Sequence, residues 1–333
     1  MKMKKFINQP ENLEQELLEG LVLANQDLIE LTSSRIIVNK ALKDADRVTI
    51  VSLTGSGHEP GFSGFVGEGM LDVSVPGDIF AAPGPEPSFE ALKIADKGKG
   101  VLFVVGNHPG DMLTGNMTME MARNEGMHVV KIVSQEDVSN APREKANERR
   151  GLVGSVILFK IAGAAAAQGK SLEEIAKLSQ DFVDNMATIA VAMRGCTHPT
   201  TGEELASIDD DKMAIGMGQH GEKGVYSSAI LSADETTVKL VDILLDDLNI
   251  KPGEKLMLVV NGLGAATLME QLIVFRKAYK YLEEKGMKVV ASWVNEILTV
   301  QETAGFQIFI ARMSEETLAY WNAPCKTPYL VRA

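Results

Sequence analysis

Apolar residues along the chain alternate between two periods, and that alternation predicts most of its elements. Leu13, Leu17, Leu18 and Leu21 recur on one face of a helix, so the chain opens with an amphipathic helix packed on the first domain. Residues 47–53, Arg-Val-Thr-Ile-Val-Ser-Leu, are β-branched enough to form a buried strand, which stops at Thr54-Gly-Ser-Gly-His-Glu-Pro60. A helix over 87–95 precedes a second apolar strand, 100–105, ending in Gly106-Asn-His-Pro-Gly-Asp111. A helix over 112–125, stopped by Gly126, leads to a third strand at 127–133. This strand–helix alternation predicts a doubly wound, mostly parallel sheet.

The second half reads as a smaller, mixed α/β sheet. Residues 152–168 are alanine-rich and helical, and Ser171-Leu-Glu-Glu174 has capping-box spacing for a helix expected to run to about Arg194. A helix at 236–248, a strand at 255–261, a long helix to Gly286, strands at 287–291 and 306–310 and a last helix capped at Ser314 follow, with Tyr320 and Trp321 as its core aromatics. The expected fold is therefore α/β in two domains, 1–190 and 191–333.

In open α/β sheets, ligands bind beyond the carboxyl ends of the strands. The loops 54–60 and 106–111 lie at such ends and carry His58 and Asp111. A third stretch, Gly216-Met-Gly-Gln-His220-Gly-Glu-Lys-Gly224, sets one histidine among four glycines. Glycines let backbone approach a ligand closely at a cost in chain entropy, so His220 reads either as a ligand contact or as part of a glycine-rich turn.

Charge narrows the partners. The 333 residues carry 45 acidic against 33 basic side chains, a net charge of -12 that disfavours nucleic acid and anionic membranes. No apolar run approaches the ~18 residues of a membrane span, and Met1-Lys-Met-Lys-Lys-Phe6 leads into polar residues, so a cytoplasmic protein is expected. Cys196 and Cys325 read as reduced structural thiols, and His128 and His198 as structural or surface histidines without ligand-spaced partners. Two nucleotide-site patterns fail on context. Residues 164–171 follow a helix rather than a strand, and Gly262-Leu-Gly-Ala-Ala-Thr267 lacks both the third small residue and a following acidic one. No metal or cofactor is called for.

Seven segments in order resemble one family: Gly55-Ser-Gly-His-Glu-Pro60, Pro76-Gly-Asp-Ile-Phe80, 107–111, Arg149-Arg-Gly151, 216–224, Val260-Asn-Gly-Leu-Gly-Ala265 and Glu316-Thr-Leu-Ala-Tyr-Trp-Asn-Ala-Pro324. Together they are similar to the substrate-binding DhaK subunits of dihydroxyacetone kinases. The resemblance implies a homodimer that binds dihydroxyacetone covalently, the histidine matching His220 adding to the ketone carbon as a hemiaminal. It implies that Gly55, Ser56, Gly57, His58 and Asp111 bind the hydroxyls, that His58 and Asp111 do acid/base work, and that phosphate comes from partner subunits.

The departures cluster on the transfer side. The family's site lysine is Gly106, its Ser-Pro-Thr-Pro stretch is Ala82-Pro-Gly-Pro85, and Leu53-Thr54 replaces two glycines before the Ser-Gly-His run. This pattern is similar to the family's operon-coactivator paralogues (DhaQ), which bind the ketone and activate a TetR-type transcription regulator. Two expectations stand: a dihydroxyacetone sensor acting through such a regulator, or a working kinase subunit in which His108 or a partner residue replaces the lysine.

Overall fold

A computed structural model describes residues 5–220, 222 and 224–333. The chain forms two compact units that are not consecutive halves. One comprises residues up to 134, 155–181 and 319–333; the other comprises 135–154 and 182–318. The expected division at 190 fails at both ends for a packing reason. Residues 186–194 are hydrogen-bonded into the second unit's sheet, while Tyr320 and Trp321 are buried as parts of the first.

The first unit holds a six-stranded sheet of β1 (Ile29–Leu31), β2 (Ile37–Asn39), β3 (Thr49–Ser56), β4 (Val73–Ile79), β5 (Val101–Gly106) and β6 (Val129–Ser134). Their order is β1-β2-β4-β3-β5-β6. The pairs β4-β3, β3-β5 and β5-β6 are parallel, and β1 and β2 add an antiparallel edge. Every residue of β3 and β5 is buried, which is why both read as unbroken apolar runs rather than alternating ones. β3 continues past the expected stop at Leu53 to Ser56, because Thr54 and Ser56 stay in register with Pro76 and Ile79 of β4 across a bulge.

Helices α1 (Leu13–Ala24), α2 (Pro85–Ala95) and α3 (Pro109–Asn124) belong to this unit. Leu92 and Ala122, from α2 and α3, join Val51, Leu53, Val73, Phe103 and Val105 in one core. On α1 only Leu18 is buried; Leu13, Leu17 and Leu21 are half-buried, so its stripe is shallower than the spacing predicts. Next come α4 (Gly154–Ala167) and α5 (Leu172–Asp184). α4 is apolar on every face except at Ser155 and Lys160, whose Nζ donates to the Tyr320 carbonyl at 2.6 Å, and it lies buried from Ser155 to Ala166. The α5 capping box forms as expected, with Glu174 N–H donating to Ser171 Oγ (3.3 Å) and Ser171 N–H to Glu174 Oε2 (2.8 Å).

That helix ends at Asp184 instead of Arg194. Residues Met186–Arg194 form β7, the second sheet's inner strand, with Ala-Thr-Ile-Ala-Val-Ala buried on both faces. A strand covered on both sides shows no alternation, so the helical reading had nothing to contradict it. β8 (Lys212–Ile215), β9 (Tyr226–Ala229), β10 (Lys255–Gly262), β11 (Lys288–Asn295) and β12 (Ala304–Arg312) complete the order β9-β8-β7-β12-β10-β11. Only β10-β11 is parallel, so this sheet is mixed as expected. Helices α6 (Ala233–Leu248) and α7 (Leu268–Glu284) bury Leu244, Leu248, Val274 and Ala278 against Ile189, Val191, Leu258, Val260, Ile308 and Ile310.

Two details give the residues of the rejected nucleotide motif structural roles instead. Gly264 has φ +117, and a Cβ there would collide with the Gln301 carbonyl, so this glycine serves a close backbone approach. Thr267 caps α7, accepting from Glu270 N–H at 3.3 Å. The last helix, α8 (Glu315–Asn322), starts with Thr317 N–H donating to Ser314 Oγ (3.1 Å). No helix among the described residues is long and apolar enough to cross a membrane.

Candidate functional site

In the first unit the site residues leave two neighbouring parallel strands at the same edge, with Leu53 of β3 opposite Val105 of β5. Gly55 is obligatory: a Cβ there would stand 2.7 Å from Ala81 N. Ser56 Oγ donates to the Gly77 carbonyl at 2.7 Å, and Phe80 N–H donates to the Ser56 carbonyl at 2.8 Å, so the turn after β4 clasps the end of β3. Gly57 has φ +100, and its N–H donates to Glu59 Oε1 at 2.9 Å. Burial pushes the Glu59 carboxyl up, against the pull of that hydrogen bond. His58 is fully buried, its ring 5.2 Å from that of Phe80.

From β5 the chain turns through Asn107 and His108 into α3, with Pro109 at its first position. Asp111 lies in the first turn, where the helix N-terminus favours a carboxylate, and is buried. Gly106 sits beside both: a Cβ there would be 3.4 Å from His108 Cδ2 and 3.6 Å from Asp111 Oδ2. Both are ordinary contacts, so a Cβ at 106 is sterically admissible and would border Asp111. Thr114 Oγ1 donates to the Pro83 carbonyl (2.8 Å), tying α3 to the 82–85 stretch.

In the second unit β8 delivers the histidine stretch. Gly216 has φ +77, and its carbonyl accepts from Arg150 Nη2 at 2.9 Å. Arg150 is held in turn by buried Asp137, whose Oδ2 lies 2.9 Å from Nε. Gln219 donates from Nε2 to the Thr299 carbonyl at 2.8 Å. Residues 216–219 are thus buried and anchored, and His220, with 23% of its side chain exposed, is the first residue beyond them. Its Nδ1 lies 3.5 Å from Glu222 Oε1, and its backbone N–H donates to Glu222 Oε2 at 2.8 Å. Burial alone would raise the Glu222 carboxyl, but the His220 side chain and amide outweigh it and hold the group well below the usual carboxylate range. Gly221 and Lys223 of the same stretch lie outside the described residues.

Four supporting residues escape sequence reasoning. Arg150 and Gln219 fall in matched segments with no role attached, while Asp137 and Glu136 carry no local signal. Glu136 is fully buried, and its Oε1 accepts the N–H groups of Leu152 and Gly154, both at 2.8 Å. Burial raises its carboxyl to about 8 despite those hydrogen bonds. The sign follows from linkage: the folded state holds this proton more tightly than the unfolded one, so the associated stability is fully present below the ordinary carboxylate range and is lost as pH rises through about 8. Across that window stability should fall by up to roughly 1 kcal/mol per pH unit, and Glu136→Gln should flatten the trend. Urea unfolding at a series of pH values checks this; parallel profiles for the two proteins would refute it.

The remaining histidines and cysteines sit apart from these loops. His128 Nε2 pairs with Glu173 at 3.1 Å on the surface, and His198 Nδ1 accepts from Thr200 N–H in a turn. Cys196 and Cys325 are buried thiols outside any disulfide.

Glycine-shaped loops at the carboxyl ends of parallel strands in one unit, and a histidine beside a carboxylate on an anchored loop in the other, mark the chain as a two-unit α/β protein with candidate ligand-contact loops in each. Residues 19–329 match the Dak1 domain model, and the chain belongs to that family. It is 33% identical over 329 residues to the PTS-dependent dihydroxyacetone kinase 2, dihydroxyacetone-binding subunit DhaK, of Listeria innocua, spanning 98% of this chain and 99% of that one. It is 36% identical to the corresponding PTS-dependent DhaK subunit of Lactococcus lactis, over 95% of each chain. Among solved structures, the dihydroxyacetone kinase operon co-activator Dha-DhaQ superposes with a TM-score of 0.90 at 29% identity, over 95% of this chain and 98% of that one.

Proposed function

We propose that this chain binds dihydroxyacetone as a hemiaminal on His220 and serves as a ligand-sensing coactivator, working as a homodimer through a TetR-type regulator. The observation that carries the reading is the setting of His220: an imidazole presented beyond an anchored loop, with a carboxylate at its Nδ1 side. An imidazole nitrogen with a free lone pair adds to an activated ketone, whereas glycerol has no carbonyl to accept it, so bond formation itself gives selectivity. Gly55, Ser56, Gly57, His58 and Asp111 would hold the hydroxyls. The coactivator role draws on the likeness to Dha-DhaQ and on the glycine at 106.

A second reading has its own support. Full-length identity to two DhaK subunits favours a working kinase subunit that takes phosphate from partner proteins. Both readings share ketone capture. Titration with [2-13C]dihydroxyacetone tests that shared part: the ketone carbon resonance should be replaced by that of a tetrahedral carbon in slow exchange. A spectrum showing only the unperturbed ketone at saturating protein would overturn both.

A further inference from the structure

We infer that Glu222 is the positioning residue that fixes the tautomer and orientation of His220, so that Nε2 is the attacking atom. The inference rests on ketone capture by His220. Glu222 reaches the histidine twice, accepting its backbone N–H at 2.8 Å through Oε2 and facing Nδ1 at 3.5 Å through Oε1. A carboxylate facing Nδ1 places the ring proton there and leaves the lone pair on Nε2. The 3.5 Å separation is long for a hydrogen bond and is of the kind that tightens as positive charge develops on the ring.

A second observation shows that the loop is shaped around this carboxylate. A Cβ on Gly218 would collide with both Glu222 Oε2 and Arg150 Nη1, so the glycine makes room for the two groups side by side. Arg150 in turn holds the Gly216 carbonyl and Asp137. The guanidinium therefore braces the loop beside this half-exposed carboxylate, which the His220 side chain and amide hold in its ionised form.

The step balances as follows. The Nε2 lone pair forms the N–C bond, the carbonyl π pair moves to oxygen, and that oxygen takes up a proton. The ring carries a transient positive charge facing Glu222 and then releases its Nδ1 proton to solvent, leaving a neutral hemiaminal with no net change in protonation. Glu222 contributes as the carboxylate behind a catalytic histidine does, by orientation and by stabilising the passing cation.

The test uses the full chain labelled with 15N-histidine, whose long-range 15N–1H correlations distinguish Nδ1–H from Nε2–H tautomers. The His220 signal is assigned by its loss in His220→Ala. Wild type should show the Nδ1–H tautomer. Glu222→Ala should move His220 toward Nε2–H and weaken adduct formation with dihydroxyacetone about 10- to 100-fold, the range seen when a histidine loses its outer carboxylate partner at metal sites. Glu222→Gln, which keeps an oxygen acceptor without the charge, should retain the tautomer and lose less affinity, and it guards against misfolding of the alanine variant. An unchanged tautomer with unchanged adduct affinity in Glu222→Ala would overturn the inference. A wild type with a Glu222-dependent Nδ1–H tautomer but no adduct would overturn ketone capture alone and leave the positioning role standing.

Discussion

Replacing His220 by alanine is expected to abolish the covalent adduct with dihydroxyacetone while leaving the fold intact. The side chain is partly exposed beyond an anchored segment, so its removal takes away little buried area and should cost no more than ~0.5 kcal/mol. Hydroxyl contacts alone would remain, and residual binding should be weak and non-covalent. The variant also reaches the sensing step. A ligand promotes a complex only by favouring the form that the partner binds, so without capture the ketone should no longer drive association with the regulator. Isothermal titration of both proteins with and without dihydroxyacetone measures this. Regulator binding that is equally tight for His220→Ala without ketone would sink the sensor reading.

How far the sequence revealed this depended on which periodicities the tertiary structure preserved. The loops carrying His58 and Asp111 were legible because each follows an apolar run that could only be a buried parallel strand, and sheet topology then places both at one edge. The second sheet was less legible. β7 looks like the continuation of α5 because its residues are apolar on both faces, and β8 and β9 are short enough to pass as loop. Missing β7 moved the domain division to 190, although the chain enters the second unit near 135, leaves it at 155, and returns at 182. Hydrophobic pattern reports local burial; it carries no record of which unit a segment joins.

The histidine stretch shows the same limit at the level of side chains. Four glycines marked it as unusual, but the purposes of Gly216 and Gly218 differ and depend on residues outside the stretch. Gly216 adopts a positive φ against Ser139, while Gly218 clears space for Glu222 and Arg150. Arg150 and Asp137 sit more than sixty residues before the loop that they brace. Glu136 gives no sequence sign of being a buried acid, because its elevated affinity for a proton comes first from burial, with the adjacent Asp137 carboxylate adding to it.

With the usual donor subunits supplied, this chain is expected to phosphorylate dihydroxyacetone roughly 100-fold more slowly than an ordinary DhaK subunit. Phosphoryl transfer places charge on nonbridging oxygens, and one well-placed stabilising group there is worth about 3 kcal/mol, which is that factor in rate. The chain has Gly106 where the family it resembles has lysine. The geometry around this glycine makes the explanation testable, because a Cβ at 106 meets only ordinary contacts with His108 and Asp111. Gly106→Lys, with its fold checked by circular dichroism, should raise the rate at least tenfold without changing adduct formation on His220. A coupled assay following the phosphorylated product at saturating donor reads both proteins. Should the unaltered chain match a DhaK subunit, the kinase reading replaces the sensor. A slow chain that Gly106→Lys fails to accelerate would instead shift the deficit to the 82–85 stretch, where Ala82, close against Gly110, stands in place of the family's serine.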